Sequence, residues 1–185
     1  MLDEIMSEES VESISTIHSG IPSFERILVA YDGTEISKRA LSYAAYFSKV
    51  SDSEVVVINV LKSANGDSKA LPLTIKANLE GKEEESDMVS GESQNAGLQE
   101  AIKELTTTCK AAGLSKKVTY EIRTGNPADE IIDVSNLNRF DLLIMGSRRI
   151  DSKIEVIGST TRKVTTKVKT PILIVHKQPT YKDEY

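Results

Sequence analysis

Cysteine and histidine are scarce in this chain, and long apolar runs are missing. The single cysteine, Cys109, excludes an internal disulfide and suits a reducing compartment, so a cytoplasmic location is expected. It falls within a helical pattern and is read as a packing residue. The two histidines, His18 and His176, stand far apart. No His/Cys cluster has the spacing of a structural zinc site, and no metal centre is expected. No stretch approaches the roughly 20 apolar residues that span a bilayer. The start, MLDEIMSEES, lacks the basic-then-apolar order of a signal peptide, so neither secretion nor membrane insertion is expected. The net charge of −5 argues against general nucleic-acid binding. What remains is 28% charged and 39% hydrophobic residues in 185 positions, ordinary values for one soluble domain with a full core.

The charge is unevenly placed. Residues 1–20 hold five acids (Asp3, Glu4, Glu8, Glu9, Glu12) and no Lys or Arg. Residues 80–92 hold six acids against one lysine, with the Glu83-Glu84-Glu85 run read as a solvated loop. Residues 148–169 reverse the sign, with seven bases against two acids. A basic segment in an acidic chain fits either a bound anion or a solvated helix face.

Strand and helix patterns alternate along the chain. Residues 1–22 read as a flexible acidic tail. Apolar residues recur loosely in it at Ile5, Val11, Ile14 and Ile17, which allows a short helix. RILVAY at Arg26–Tyr31 is a nearly continuous apolar run, the pattern of a strand buried on both faces of a parallel sheet. A helix is expected at Ile36–Val50 and a second strand at Glu54–Leu61 (EVVVINVL). Residues 62–96 are rich in Ser, Glu, Gly and Asn, and read as a flexible insertion with a little helix near Leu73–Leu79. A helix at Gly97–Ala112 stops at Gly113. A strand at Lys117–Arg123 leads to the Thr124-Gly125-Asn126-Pro127 turn, whose proline suits a helix start. LLIM at Leu142–Met145 is the fourth strand, a helix opens near Gly158, and PILIVH at Pro171–His176 is the fifth strand. Alternation of this kind implies a three-layer α/β domain, an open five-stranded parallel sheet with helices on both faces. One domain is expected over 23–178, with a short tail at 179–185.

Ligands of such sheets sit at the carboxyl ends of the strands, where strand order reverses. Two segments therefore matter most. Ala30-Tyr31-Asp32-Gly33-Thr34 follows the first strand. Asp32 there can accept hydrogen bonds from a sugar or an adenine amino group, or simply shape a turn. After Met145 comes Gly146-Ser147-Arg148-Arg149, then a loop, then Gly158-Ser159-Thr160-Thr161. Glycine allows close backbone approach to a phosphate, a helix start favours an anion, and Arg148 and Arg149 supply charge. The same residues also fit an ordinary Ser/Thr cap after a polar loop.

RILVAYDGTEISKRALSYAAYFS, TGNPADEIIDVS, DLLIMGSRR and IGSTTRKVTTKVKTPILIVHK occur in this order. Together they resemble the universal stress protein family over about Phe24–Lys177, the insertion excepted. The resemblance implies an adenine-nucleotide α-hydrolase-like (Rossmann-like) sheet and a homodimer paired through the last strand, Thr170–Lys177. It also implies a site for ATP, with Mg²⁺. Nucleotide-binding members carry a glycine, two residues, a glycine, nine residues, then Gly-Ser or Gly-Thr. By position, Gly146 matches the first glycine and Gly158-Ser159 the closing pair, with Thr160 beside it. Asp32 matches the acidic residue that meets the nucleoside, while Asn59 and Val60 match the edge bordering adenine. Ala30, Tyr31 and Met145 flank these positions. Two departures stand out. Arg149 replaces the second glycine, and eight residues, not nine, separate it from Gly158. Arg149 either clashes with a bound phosphate or grips it.

The resemblance implies a nucleotide-responsive stress or signalling module. The degenerate glycine motif keeps open a nucleotide-independent scaffold that meets a protein partner through the acidic segments. A slow ATPase is the third reading, although no Walker motif is present and only Asp32 offers a general base. Related folds fit less well. The serine-glycine-glycine loop of adenylating α-hydrolases is replaced by Tyr31-Asp32-Gly33-Thr34. Asp32 lacks the acidic neighbour of response-regulator receivers, and Tyr31 alone is thin support for a flavin carrier.

Overall fold

In a computed structural model of the chain, the described residues are 23–61, 73–75, 95–114, 118–147 and 157–176. Strand β1 is Arg26–Tyr31, followed by helix α1 at Glu35–Ser51, β2 at Glu54–Leu61, β3 at Leu73–Ile75 and α2 at Asn95–Ala111. Then come β4 at Val118–Thr124, α3 at Pro127–Leu137, β5 at Leu142–Gly146, α4 at Ser159–Lys167 and β6 at Ile172–Val175. The six strands form one sheet in the order β3-β4-β2-β1-β5-β6.

The five expected parallel strands are all present. Continuous apolar runs put β1, β2 and β5 at the centre, where both faces are covered and Ile27, Leu28, Val29, Val55, Val57, Leu143 and Ile144 have no exposure. On one face Leu41 and Ala44 of α1 and Leu105 and Cys109 of α2 pack over Val29, Val57 and Ile144. On the other, Ile131 and Val134 of α3 and Val164 of α4 cover Leu28, Ile58 and Leu143. Cys109 is fully buried, and burial pushes its thiol up to about 12, so the packing role fits a side chain that stays protonated at neutral pH.

The sixth strand departs from expectation. Leu73–Ile75, read as part of a helix near Leu73–Leu79, instead pairs antiparallel with β4, Leu73 opposite Ile122 and Ile75 opposite Tyr120. Without β3, β4 would have a neighbour only in β2, and its outer edge would offer unpaired backbone groups. A strand-forming triplet satisfies them, whereas a helix would not. Residues 76–79, most of the insertion, the acidic tail and the C-terminal tail lie outside the described residues.

Local chemistry sets where the helices begin. The Thr34 side chain accepts from the Ser37 N–H and caps α1. Asn126 Oδ1 accepts from the N–H groups of Ala128 and Asp129 and caps α3, with Pro127 in its first turn. Gly125, at φ 146°, makes the preceding turn in a conformation that a side chain resists.

Candidate functional site at the carboxyl ends of the strands

Strand order reverses at β1. The chain moves outward from β1 to β2 and β4 on one side, and through β5 to β6 on the other. The crevice between the carboxyl ends of β1 and β5 is therefore the topological switch point. Tyr31-Asp32 and Gly146-Ser147 flank it, since Ala30 pairs with Met145 one residue earlier.

The β1 side is shaped by hydrogen bonds among its own residues. Tyr31 is buried, and its hydroxyl donates to Glu104 Oε1 at 3.3 Å. Burial raises its pKa, with the Glu104 carboxylate adding to the shift. Asp32 is exposed. Its Oδ1 accepts from Thr34 N at 3.1 Å and Thr34 Oγ1 at 2.5 Å, while its own N–H donates to Ser37 Oγ at 3.3 Å. The turn reading of Asp32 therefore holds, and the carboxylate still faces solvent at the strand end. Asn59, half-buried opposite Tyr31, donates from Nδ2 to Tyr31 O at 3.0 Å. It ties the end of β2 to the end of β1, and Val60 beside it is half-buried.

On the β5 side, Met145 is buried in the α3/α4 layer and Gly146 packs tightly against α1. A Cβ built on Gly146 would lie 2.8 Å from Ile36 Cγ2 and 3.3 Å from the Ile36 carbonyl carbon. Helix packing thus explains this glycine without a ligand. Thr161 Oγ1 approaches Gly146 O at 3.4 Å. That is long for O–H···O and marks contact more than strength. It brings the first turn of α4 to the end of β5, as the motif spacing suggested. Arg148 and Arg149 lie outside the described residues.

The start of α4 is open. Gly158 is its N-cap, with φ −54° and ψ 149°, and no side chain among the described residues caps the helix. Those angles suit any residue, so the backbone does not demand glycine there. No acid stands in the first turn. The N–H groups of Ser159, Thr160 and Thr161 precede the first intrahelical bond, from Arg162 N to Gly158 O at 2.9 Å. Polar groups left over from folding gather at the same rim. Four buried side-chain atoms make no hydrogen bond among the described residues, and three of them, on Thr124, Ser147 and His176, lie at the ends of β4, β5 and β6. Such groups normally find a partner. Ser147 is fully buried, and its N–H donates to Val175 O at 2.9 Å. An open helix start, serine and threonine hydroxyls and a nearby carboxylate together suit a phosphorylated, sugar-bearing ligand. Among the described residues no cluster of three or more His, Cys, Asp or Glu could hold a metal. No helix there is long and apolar enough to cross a membrane.

Residues 23–176 match the sequence profile of the universal stress protein family. The chain belongs to that family. A curated relative, the universal stress protein MJ0531 of Methanocaldococcus jannaschii, is 27% identical over 164 residues, 88% of each chain. The fold is that of a universal stress protein solved in complex with cAMP, at TM-score 0.58 and 20% identity, covering 84% of this chain and 98% of that one. An Archaeoglobus fulgidus universal stress protein solved in complex with dAMP aligns at TM-score 0.52 and 17% identity, covering 83% and 99%.

Within this universal stress protein, two contributors went unread in the sequence. Glu104 meets Tyr31 from 73 positions away, with no local signal. Ile36 limits Gly146 through packing alone. Thr161, by contrast, was legible in Gly158-Ser159-Thr160-Thr161.

Proposed function

We propose that this universal stress protein is a regulatory module that binds an adenine nucleotide, ATP with Mg²⁺, between the carboxyl ends of β1 and β5. The observation that carries the reading is the contact of Thr161 with Gly146 O, which seats an uncapped helix start at the switch point. Phosphate oxygens are assigned to the N–H and hydroxyl groups of Ser159 and Thr160, with Arg148 and Arg149 supplying charge. The orphaned Ser147 hydroxyl is assigned to the same end. Sugar hydroxyls are assigned to Asp32, and the base to the wall made by Ala30, Asn59 and Val60. Tyr31, Met145 and Gly146 form the floor. Mg²⁺ arrives with the triphosphate and spreads its charge. The cAMP and dAMP complexes of related folds support an adenine ligand.

Nucleotide binding biases the segment between β5 and α4, and that change is the signal. The module acts in the cytoplasm as a homodimer through β6. This edge strand leaves Ile172, Leu173 and Ile174 half-exposed, a row open to a second copy. Turnover is slow at most, because Asp32 already accepts twice from Thr34. A second reading, a nucleotide-independent scaffold, is favoured by one fact: Ile36 alone accounts for Gly146.

Calorimetry with ATP on the wild type and on Gly158→Glu tests the proposal, with phosphate release measured alongside. The expected outcome is binding heat in the wild type, lost in a variant that still melts cooperatively. A folded wild type that gives no heat with ATP overturns the proposal in favour of the scaffold.

A further inference from the structure

Helix α1 carries an apolar surface that the nucleotide reading does not use. Its outer side presents Tyr43, Tyr46 and Val50, at 42%, 63% and 69% exposure. With Arg39 they recur at intervals of four, three and four, which makes one continuous stripe on a helix. Arg39, Ser42, Tyr43, Tyr46 and Phe47 line a shallow groove of about 590 Å³. Its upper end is fixed, because Arg39 Nη1 donates to His176 O at 2.9 Å. Aromatic side chains exposed in such a row usually meet something.

Three observations identify the occupant. The first is where the chain enters. Phe24 packs edge-on against Phe47 at 5.8 Å, and Phe47 against Tyr46 at 5.7 Å. The Ser53 hydroxyl holds Phe24 O. Residues 1–22 therefore join the domain beside the groove. The second is reach. Seven Cα-to-Cα steps lead from Ile17 to Phe24 and span up to about 25 Å, whereas Phe47 to Arg39 covers roughly 12 Å of helix. The third is chemistry. Residues 1–22 carry Val11, Ile14 and Ile17 at intervals of three, with five acids and no Lys or Arg. Helix α1 carries Lys38, Arg39 and Lys49 against Glu35. A second copy of α1 would oppose like charges, while the N-terminal segment brings opposite ones.

We propose that the α1 stripe is the docking face for the chain's own N-terminal segment, with Val11, Ile14 and Ile17 set against Tyr43, Tyr46 and Val50. The segment is an intramolecular cover, and its removal exposes the aromatic face. The nucleotide site is not involved, so either proposal can fail alone.

Hydrogen exchange read by mass spectrometry on the full-length chain tests this, together with sedimentation velocity. Two variants are compared with wild type, Tyr43→Ser/Tyr46→Ser on the helix and Ile14→Asp/Ile17→Asp in the segment. Tyr43 and Tyr46 are exposed, and circular dichroism checks that each variant folds. In wild type, amides of residues 11–17 exchange at least about fivefold more slowly than in either variant, as expected for a docked segment. That protection and the sedimentation coefficient stay constant across a hundredfold dilution. Tetranitromethane nitrates Tyr43 and Tyr46 faster in the Ile14→Asp/Ile17→Asp variant than in wild type. Equal exchange in all three chains overturns the proposal. So does protection that fades on dilution with a falling sedimentation coefficient, which would assign the face to a second copy.

Discussion

Helices α3 and α4 both follow a glycine-bearing turn at the carboxyl edge of the same sheet, yet their starts are built in opposite ways. At α3, Asn126 Oδ1 accepts from two backbone N–H groups, and Asp129 and Glu130 occupy the first turn. Its positive end is satisfied twice, by a cap and by charge. At α4, Gly158 offers no side-chain cap and the first turn has no acid. Asp129 even bonds Lys163 of α4, at 2.6 Å, so the carboxylate sits with the capped helix. One start is finished by its own cap and charge; at the other, the described residues supply neither. Helix stability alone does not favour the second arrangement, which makes it the better candidate for a ligand.

Exchanging the two designs breaks the comparison most strongly. Gly158→Asp gives α4 the cap and the negative charge that α3 has. The variant should melt higher, and its affinity for ATP by calorimetry should fall about 100-fold, close to 2.7 kcal/mol. Unchanged affinity would mean that the open start is not where the phosphates go. Gly146→Ala comes next. The added methyl meets Ile36 at 2.8 Å, so urea unfolding should show a loss of about 1–3 kcal/mol. In the Ile36→Ala background the same change should cost clearly less, because the clash is gone. Asn126→Ala should lower stability by about 1 kcal/mol through loss of the α3 cap, with nucleotide affinity unchanged. Thr161→Val has the smallest effect, about 0.5 kcal/mol of stability, given the length of its hydrogen bond to Gly146 O.

Most of the fold was legible because the central strands announce themselves. RILVAY, EVVVINVL and LLIM are too apolar for any place but a sheet covered on both faces, and the turns between them mark the helices. The switch point followed from strand order alone. A three-residue strand gives no period to read, and β3 pairs with residues about 45 positions later, so Leu73–Ile75 looked like helix. The site was partly legible for the same reason. Gly158-Ser159-Thr160-Thr161 is a local pattern, and it does meet the end of β5. Gly146 reads two ways, since a role in the motif and packing against Ile36 leave the same letter in the sequence. The burial of Ser147 and the Tyr31–Glu104 contact depend on tertiary structure, which no spacing encodes.

The most direct test of the open-start claim is an amide-resolved NMR titration of the wild-type protein with ATP and Mg²⁺. The N–H signals of Ser159, Thr160 and Thr161 should shift strongly and saturate together, while those of Ala128 and Asp129, already held by Asn126, stay nearly still. Saturation with the α4 amides unmoved, or with the two helix starts shifting alike, would contradict the account.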